Sequence, residues 1–210
     1  MRVLGVDPAA TGPTGYGIVE SDGRRCRMLH YGTLKVAAKR QRDSGGATLH
    51  DVHALLCQLI EDFSPDAMAV ENVFTALNMR TALRLAEVRG VVLLAAAQHN
   101  LEVHSYAPRK VKASIAGHGQ ADKRQMQLMV RALLSMSETP EPSDAADALA
   151  VALCHLQAEQ VRQRFGLPNP STPTKPRATR TAVNSSGVPN EIRLIGTTRG
   201  GLPRIVSTTR

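Results

Sequence analysis

The sequence predicts an α/β fold, a mixed sheet flanked by helices, and three features of the 210-residue chain carry that prediction. Short apolar runs joined by turn residues open the chain, so its first three strands pair as hairpins. Further short apolar runs then alternate with longer segments whose apolar side chains recur every three to four residues, the pattern of helices packed on a sheet. Two of the apolar runs end in a carboxylate, Asp7 and Glu71, and in open sheets of this class sites form beyond the carboxyl ends of the strands.

Arg2 to Val6 is the first strand; Asp7-Pro8 ends it, because the residue before a proline is held extended. Small and turn residues from Ala9 to Gly15 lead to a second strand at Tyr16 to Glu20, and Asp22-Gly23 turns it into a third at Arg25 to Lys35. Lys39 to Gly46 reads as a polar surface loop. From Thr48, the positions Leu49, Val52, Leu55, Leu56, Leu59 and Ile60 recur at helical spacing as far as Phe63 to Pro65. Ala67 to Val70 is all apolar, as in a strand covered on both faces, and Glu71 closes it. A helix from Asn78 to His99, a strand from Leu101 to Tyr106 and a helix opening at Pro108 follow; Gly117-His118-Gly119 interrupts, and Asp122 to Leu134 is helical again. After a loop at Ser137 to Pro142, the last helix is predicted to begin with Ser143 as its cap and to run to Phe165. The periodicity stops there. The chain therefore divides into a folded domain, residues 1–165, and a tail, 166–210, rich in Pro, Thr, Ser and Arg and expected to be disordered.

A hydrophobic content of 42% suits one domain with a substantial core. With no apolar run of membrane-spanning length and no basic-then-apolar leader, the expectation is a soluble, cytoplasmic protein. Cys26, Cys57 and Cys154 are odd in number and share no ligand spacing, so they read as free thiols and argue against zinc. The net charge of +8 suggests a polyanionic partner. Its distribution is uneven, since residues 166–210 hold seven basic side chains against Glu191 alone, leaving residues 1–165 nearly neutral.

The chemistry concentrates at Ser143 to Leu153. Asp144 and Asp147 lie three apart at the start of an otherwise apolar helix and so share one face. Acids near a helix N-terminus are also favoured by its dipole, which alone would account for them. A helix packed across the sheet edge would, however, join them to Asp7 and Glu71. Four crowded carboxylates raise one another's pKa unless a cation neutralises them, and an all-oxygen donor set suits Mg²⁺ or Mn²⁺. Two such ions activate a water and stabilise the leaving oxygen in phosphoryl displacement. On a basic chain that site reads as a nuclease. Taken singly, Asp7 as a turn residue and Glu71 as a surface charge would need no function.

Several stretches, in order and at matching spacing across residues 2–156, resemble the RuvC family of crossover (Holliday) junction endodeoxyribonucleases: Val3-Leu4-Gly5-Val6-Asp7-Pro8 with Thr14-Gly15-Tyr16-Gly17; Val70-Glu71-Asn72-Val73-Phe74; Ala86 to Ala97; Val111-Lys112 with Gly117 and Gly119; Ala121 to Val130; and Asp144 to Leu153. The resemblance implies a ribonuclease-H-like five-stranded mixed sheet and two Mg²⁺ per subunit, with Mn²⁺ as a substitute, held by Asp7, Glu71, Asp144 and Asp147. It also implies a homodimer, through the helix containing Val91 to Ala97, that nicks a four-way junction symmetrically beside the branch-migration proteins RuvA and RuvB. Phe74 aligns with an aromatic that inserts at the junction centre, and Lys112 and Lys123 with lysines near the scissile phosphate, Lys123 counted with the catalytic set. Arg109, Lys110 and Arg124 are expected on backbone phosphates; His118 is read as a loop histidine without a role.

The chain departs from the family at Ala9, where glycine is usual, at Leu77, where lysine is common, through Ala37 to Gly46, and in its tail. Two other readings compete. An actin-like nucleotide-binding ATPase shares the opening Gly-x-Asp strand but needs two such domains, for which 210 residues leave no room. A junction-binding module with a dead site is opposed by the presence of all four acids.

Overall fold

Five strands, β1 (Arg2–Asp7), β2 (Thr14–Ser21), β3 (Cys26–Leu34), β4 (Ala67–Glu71) and β5 (Val103–Tyr106), form one sheet in the order β3-β2-β1-β4-β5. The structure is a computed structural model and describes residues 1–9, 12–34, 46–72 and 79–167. The hairpin-linked β1, β2 and β3 pair antiparallel, whereas β1, β4 and β5 run parallel, so the sheet is mixed as the strand pattern predicts. Parallel neighbours need a crossover; between β4 and β5 it contains α2 (Met79–Gln98), and α1 (Gly46–Phe63) precedes β4. The later helices are α3 (Pro108–Ala116), α4 (Lys123–Leu133) and α5 (Ser143–Phe165).

Side chains alternate across a sheet, and here they fill two cores. Leu4, Val6, Ile18, Met68 and Val70 pack with Val52, Leu56, Leu59, Val88 and Val92 of α1 and α2. Val3, Val19, Ala69 and Tyr106 face the other way, onto Val111, Ile115, Met126, Val130, Leu149 and Leu153 of α3, α4 and α5. β4 is buried on both sides, the reason its sequence is continuously apolar.

The second core has α5 at its centre. Residues Ala145, Ala146 and Ala148 to Leu156 are all buried, as befits a helix covered all round. Its approach to the sheet is close because three glycines lie beneath it. A Cβ on Gly5 would overlap the Ala148 carbonyl oxygen and stand 2.9 Å from Ala152 Cβ; one on Gly15 would overlap the Asp144 carbonyl; one on Gly17 would lie 2.6 Å from Leu149 Cδ2. Gly5 pairs with Gly17, and Gly15 with Asp7. The glycines thus form a trough running to the carboxyl end of β1.

Local signals account for most element ends, with two corrections. Asp122 caps α4, its carboxylate accepting the Gln125 N–H at 2.8 Å while the Gln125 side chain accepts the Asp122 N–H at 3.0 Å. Ser143 does not cap α5. Pro142 holds the extended cap position, Ser143 is already helical, and the Pro142 carbonyl accepts the first turn's N–H from Ala145. Leu101 is not in a strand: its N–H bonds back to the Ala96 carbonyl, closing the end of α2, and β5 starts at Val103. Cys154 is buried and Cys26 and Cys57 half-buried, all free thiols. Among the described residues no helix is long and apolar enough to cross a membrane.

Gly5→Ala should force α5 off the sheet and lower stability by about 3 kcal/mol, at the upper end for overpacking, because backbone rather than a pliable side chain obstructs the methyl. Urea unfolding of the two proteins measures the difference.

Candidate active site

The carboxyl ends of β1 and β4 lie side by side. The two strands keep a parallel register in which Gly5 faces Ala69 and Val6 faces Val70. Asp7 and Glu71, one step further, therefore point to the same side as Gly5 and Ala69, the side on which α5 lies. The glycine trough sets the first turn of α5 against Gly15, the partner of Asp7. That brings in Asp144 and Asp147, one helical turn apart.

Asp7, Asp144 and Asp147 each offer a carboxylate oxygen, and the three atoms lie within 4.8 Å of one another. Glu71 flanks this triad without joining its tightest grouping, yet its charge acts on Asp7, and that of Asp147 acts on Glu71. Burial, then Glu71, Asp147 and Asp144, push Asp7 up to about 8, against which Lys123 works weakly. Burial and Asp147 raise Glu71 to about 7, opposed by Lys112 and Lys123. Asp147 is raised too, chiefly by burial, with Lys123 and Lys112 holding it down and Asp144 adding to the rise. Such a cluster must take up either protons or a cation near neutral pH. The donors are all carboxylate oxygens, which fits a hard divalent ion and offers a soft metal nothing.

Lys112, half-buried on α3, and Lys123, the exposed first residue of α4, are the cations whose fields reach the acids. Arg109 and Lys110 lie exposed on α3 and Arg124 on α4. Lys110 Nζ also sits 5.1 Å from the Tyr106 ring centroid. His118 is exposed, beside Gly117, whose φ of 83° ends α3. Phe74 and Leu77 lie outside the described residues, as does the 168–210 stretch. Sequence reasoning missed the support of the site: the trough of Gly5, Gly15 and Gly17, signalled by Gly-x-Gly facing a glycine across a hairpin, and a buried Tyr106 and His155 pair joined at 2.7 Å.

The profile described as "Crossover junction endodeoxyribonuclease RuvC" matches residues 3–155. A relative of that name from Caldicellulosiruptor saccharolyticus is 44% identical over 157 residues, 74% of this chain and 92% of its own length. One from Chloroflexus aggregans is 44% identical over 167 residues, covering 80% and 99%. The solved structure of T. thermophilus RuvC in complex with Holliday junction substrate superposes with a TM-score of 0.71 at 34% identity, over 80% of this chain and 97% of that one. The yeast mitochondrial Holliday junction resolvase Ydc2, at 15% identity and a TM-score of 0.57, shares the fold.

Asp7 and Glu71, free of metal, keep protons that carboxylates of the unfolded chain release near pH 4. The native state binds more protons between about pH 4 and 8, so its stability is greatest below that window and falls as pH rises through it. In chelator, Tm should be lower at pH 8 than at pH 5.5. Asp7→Asn should raise Tm at pH 8 by about 2–4 °C for each kcal/mol of repulsion removed, as thermal scans in matched buffers would read.

Proposed function

Because the chain belongs to the RuvC family of crossover junction endodeoxyribonucleases, we propose that its acidic rim resolves four-way DNA junctions by metal-assisted phosphodiester hydrolysis, one nick per subunit, placed symmetrically. The observation that carries this is the convergence of Asp7, Asp144 and Asp147 within 4.8 Å at the end of a ribonuclease-H-like sheet. The same donor set supports a pair of Mg²⁺ ions, or Mn²⁺ in their place, with Glu71 completing the ligands. When bound, the ions supply Lewis acidity at the phosphate, an acidified water and neutralisation of the leaving oxygen.

The chain's own groups do the rest. Asp7 and Glu71, pushed up to about 8 and about 7, would give up protons on taking the metal, so loading is a proton exchange. Lys112 and Lys123, whose fields already reach the acids, offset the negative charge that develops on the phosphate. Arg109, Lys110 and Arg124, exposed on the same two helices, hold the flanking backbone through salt-dependent contacts that carry no sequence information. Phe74, which aligns with the family's junction-inserting aromatic, would stack on a base at the junction centre. In this reading residues 1–165 are the nuclease domain, and the basic 166–210 segment adds non-specific attraction for DNA.

A two-fold substrate calls for a two-fold enzyme. The outer side of α2 presents Met79, Leu83, Ala86, Gly90, Leu94 and Ala97, all exposed, with Met79 at 75%, Leu83 at 59% and Leu94 at 51%. An uncharged apolar stripe of that length is costly to leave in water, and a second copy of α2 would cover it, making the homodimer. RuvA and RuvB, the branch-migration proteins, are the assembly in which such a dimer would act.

Asp7→Asn should reduce Mg²⁺-dependent cutting of a synthetic four-way junction by at least about 10³-fold, since the ions contribute several kcal/mol to the transition state. Binding of the junction should persist, and undiminished cutting would remove Asp7 from the chemistry. Leu83→Glu combined with Leu94→Glu should convert a dimer to a 22.6 kDa monomer in light scattering and leave only unpaired nicks.

A further inference from the structure

We propose that Tyr106 is a positioning residue for the acidic cluster, acting through His155; the inference rests on reading that cluster as the metal-dependent nuclease site. Tyr106 is the last residue of β5 and stands opposite Glu71 in the parallel ladder. Its carbonyl accepts the N–H of Asn72 at 2.7 Å, which fixes the chain where it leaves the sheet just after Glu71. Its side chain turns to the α5 side, where the hydroxyl and His155 Nδ1 share a hydrogen bond of 2.7 Å. One residue therefore grips the strand that carries Glu71 with its backbone and the helix that carries Asp144 and Asp147 with its side chain.

His155 has no place in the metal chemistry itself. It lies eight residues past Asp147, about 12 Å along the helix. It is fully buried, a polar ring in the otherwise apolar stretch Ala148 to Leu156 of α5, and a leucine there would avoid the desolvation of its two nitrogens. Its Nε2 has no hydrogen-bond partner among the described residues, so Tyr106 supplies the one polar anchor the ring has there. The His104 ring, 4.3 Å away between centroids, backs it from β5.

What the pair adds is direction. Alanines of α5 on the glycines of β1 and β2 make a smooth contact, and apolar burial is non-directional. A hydrogen bond of set length and angle fixes how far the helix slides and turns above the sheet, and so where Asp144 and Asp147 stand relative to Glu71.

Tyr106→Phe tests this, because it removes the hydroxyl and keeps the ring beneath Lys110. Three quantities are compared with the wild type: Mn²⁺ affinity of the DNA-free protein by calorimetry, single-turnover cutting of a four-way junction, and junction affinity in chelator. Positioning predicts Mn²⁺ affinity and cutting each reduced about tenfold, in the range seen for residues that orient metal ligands, with junction affinity within twofold. His155→Leu should reproduce the loss, and adding Tyr106→Phe to it should cost nothing more. Should His155→Leu fail to fold, Tyr106→Phe alone decides. A Tyr106→Phe protein with lowered Tm but wild-type Mn²⁺ affinity and cutting well below its Tm would overturn the inference, leaving the pair a packing feature. A wild type that takes up Mn²⁺ without cutting junctions would overturn the nuclease reading, while the calorimetry would still decide the role of Tyr106. A wild type that takes up no Mn²⁺ would overturn both.

Discussion

The close seating of α5 on the glycines of β1 and β2 is the constraint from which the site follows. A helix normally stands off a sheet by the thickness of two side-chain layers; here the Ala148 and Asp144 carbonyls occupy space that a Cβ on Gly5 or Gly15 would claim. Alanine at positions 145, 148 and 152 allows the same approach from the helix side. The result is that the first turn of α5 reaches the end of β1 with short acids. Aspartate, with one methylene, suffices at both helical positions because the backbone has already covered the distance.

That proximity has an electrostatic consequence. A folded domain does not ordinarily gather carboxylates in a half-buried corner, because burial and mutual repulsion both penalise the charged form. Asp7 at about 8 and Glu71 at about 7 record the penalty. Lys112 and Lys123 relieve it in part, and they come from two separate helices whose ends are fixed by local rules: Gly117 in a left-handed conformation closing α3, and the Asp122–Gln125 capping box opening α4. The cations are held near the acids without being paired to them side by side, and each acid oxygen stays available to a metal. Repulsion that nearby lysines relieve only in part is the mark of a binding site rather than of a structural ion pair.

The fold was readable from sequence where one physical signal dominated. Alternation and the Asp22-Gly23 turn specified the hairpins, and the all-apolar Ala67 to Val70 announced a strand covered on both faces. Asp7 and Glu71 could be placed because both end apolar runs, and Asp144 and Asp147 because three residues make one helical face. The misplacements arose where neighbouring signals competed. Ser143 resembles a cap, but Pro142 takes the extended position one residue earlier; Leu101 is apolar like a strand residue but is tied to Ala96. The trough and the Tyr106–His155 bond stayed hidden for another reason. Each depends on residues far apart in the chain meeting across the sheet, and the one local cue, Gly-x-Gly facing a glycine across the hairpin, does not name the helix that fills the trough. The stretch containing Phe74 lies outside the described residues and stays an expectation from sequence.

α5 is 23 residues long, and at 1.5 Å per residue its ends stand about 33 Å apart. The acids occupy one end, while Gly166, in a left-handed turn, closes the other. Duplex DNA rises 3.4 Å per base pair, so that span equals roughly ten base pairs, one full turn of the double helix. Anything inserted directly after Gly166 therefore starts its reach about that length away from the acids, clear of the strands that are cut.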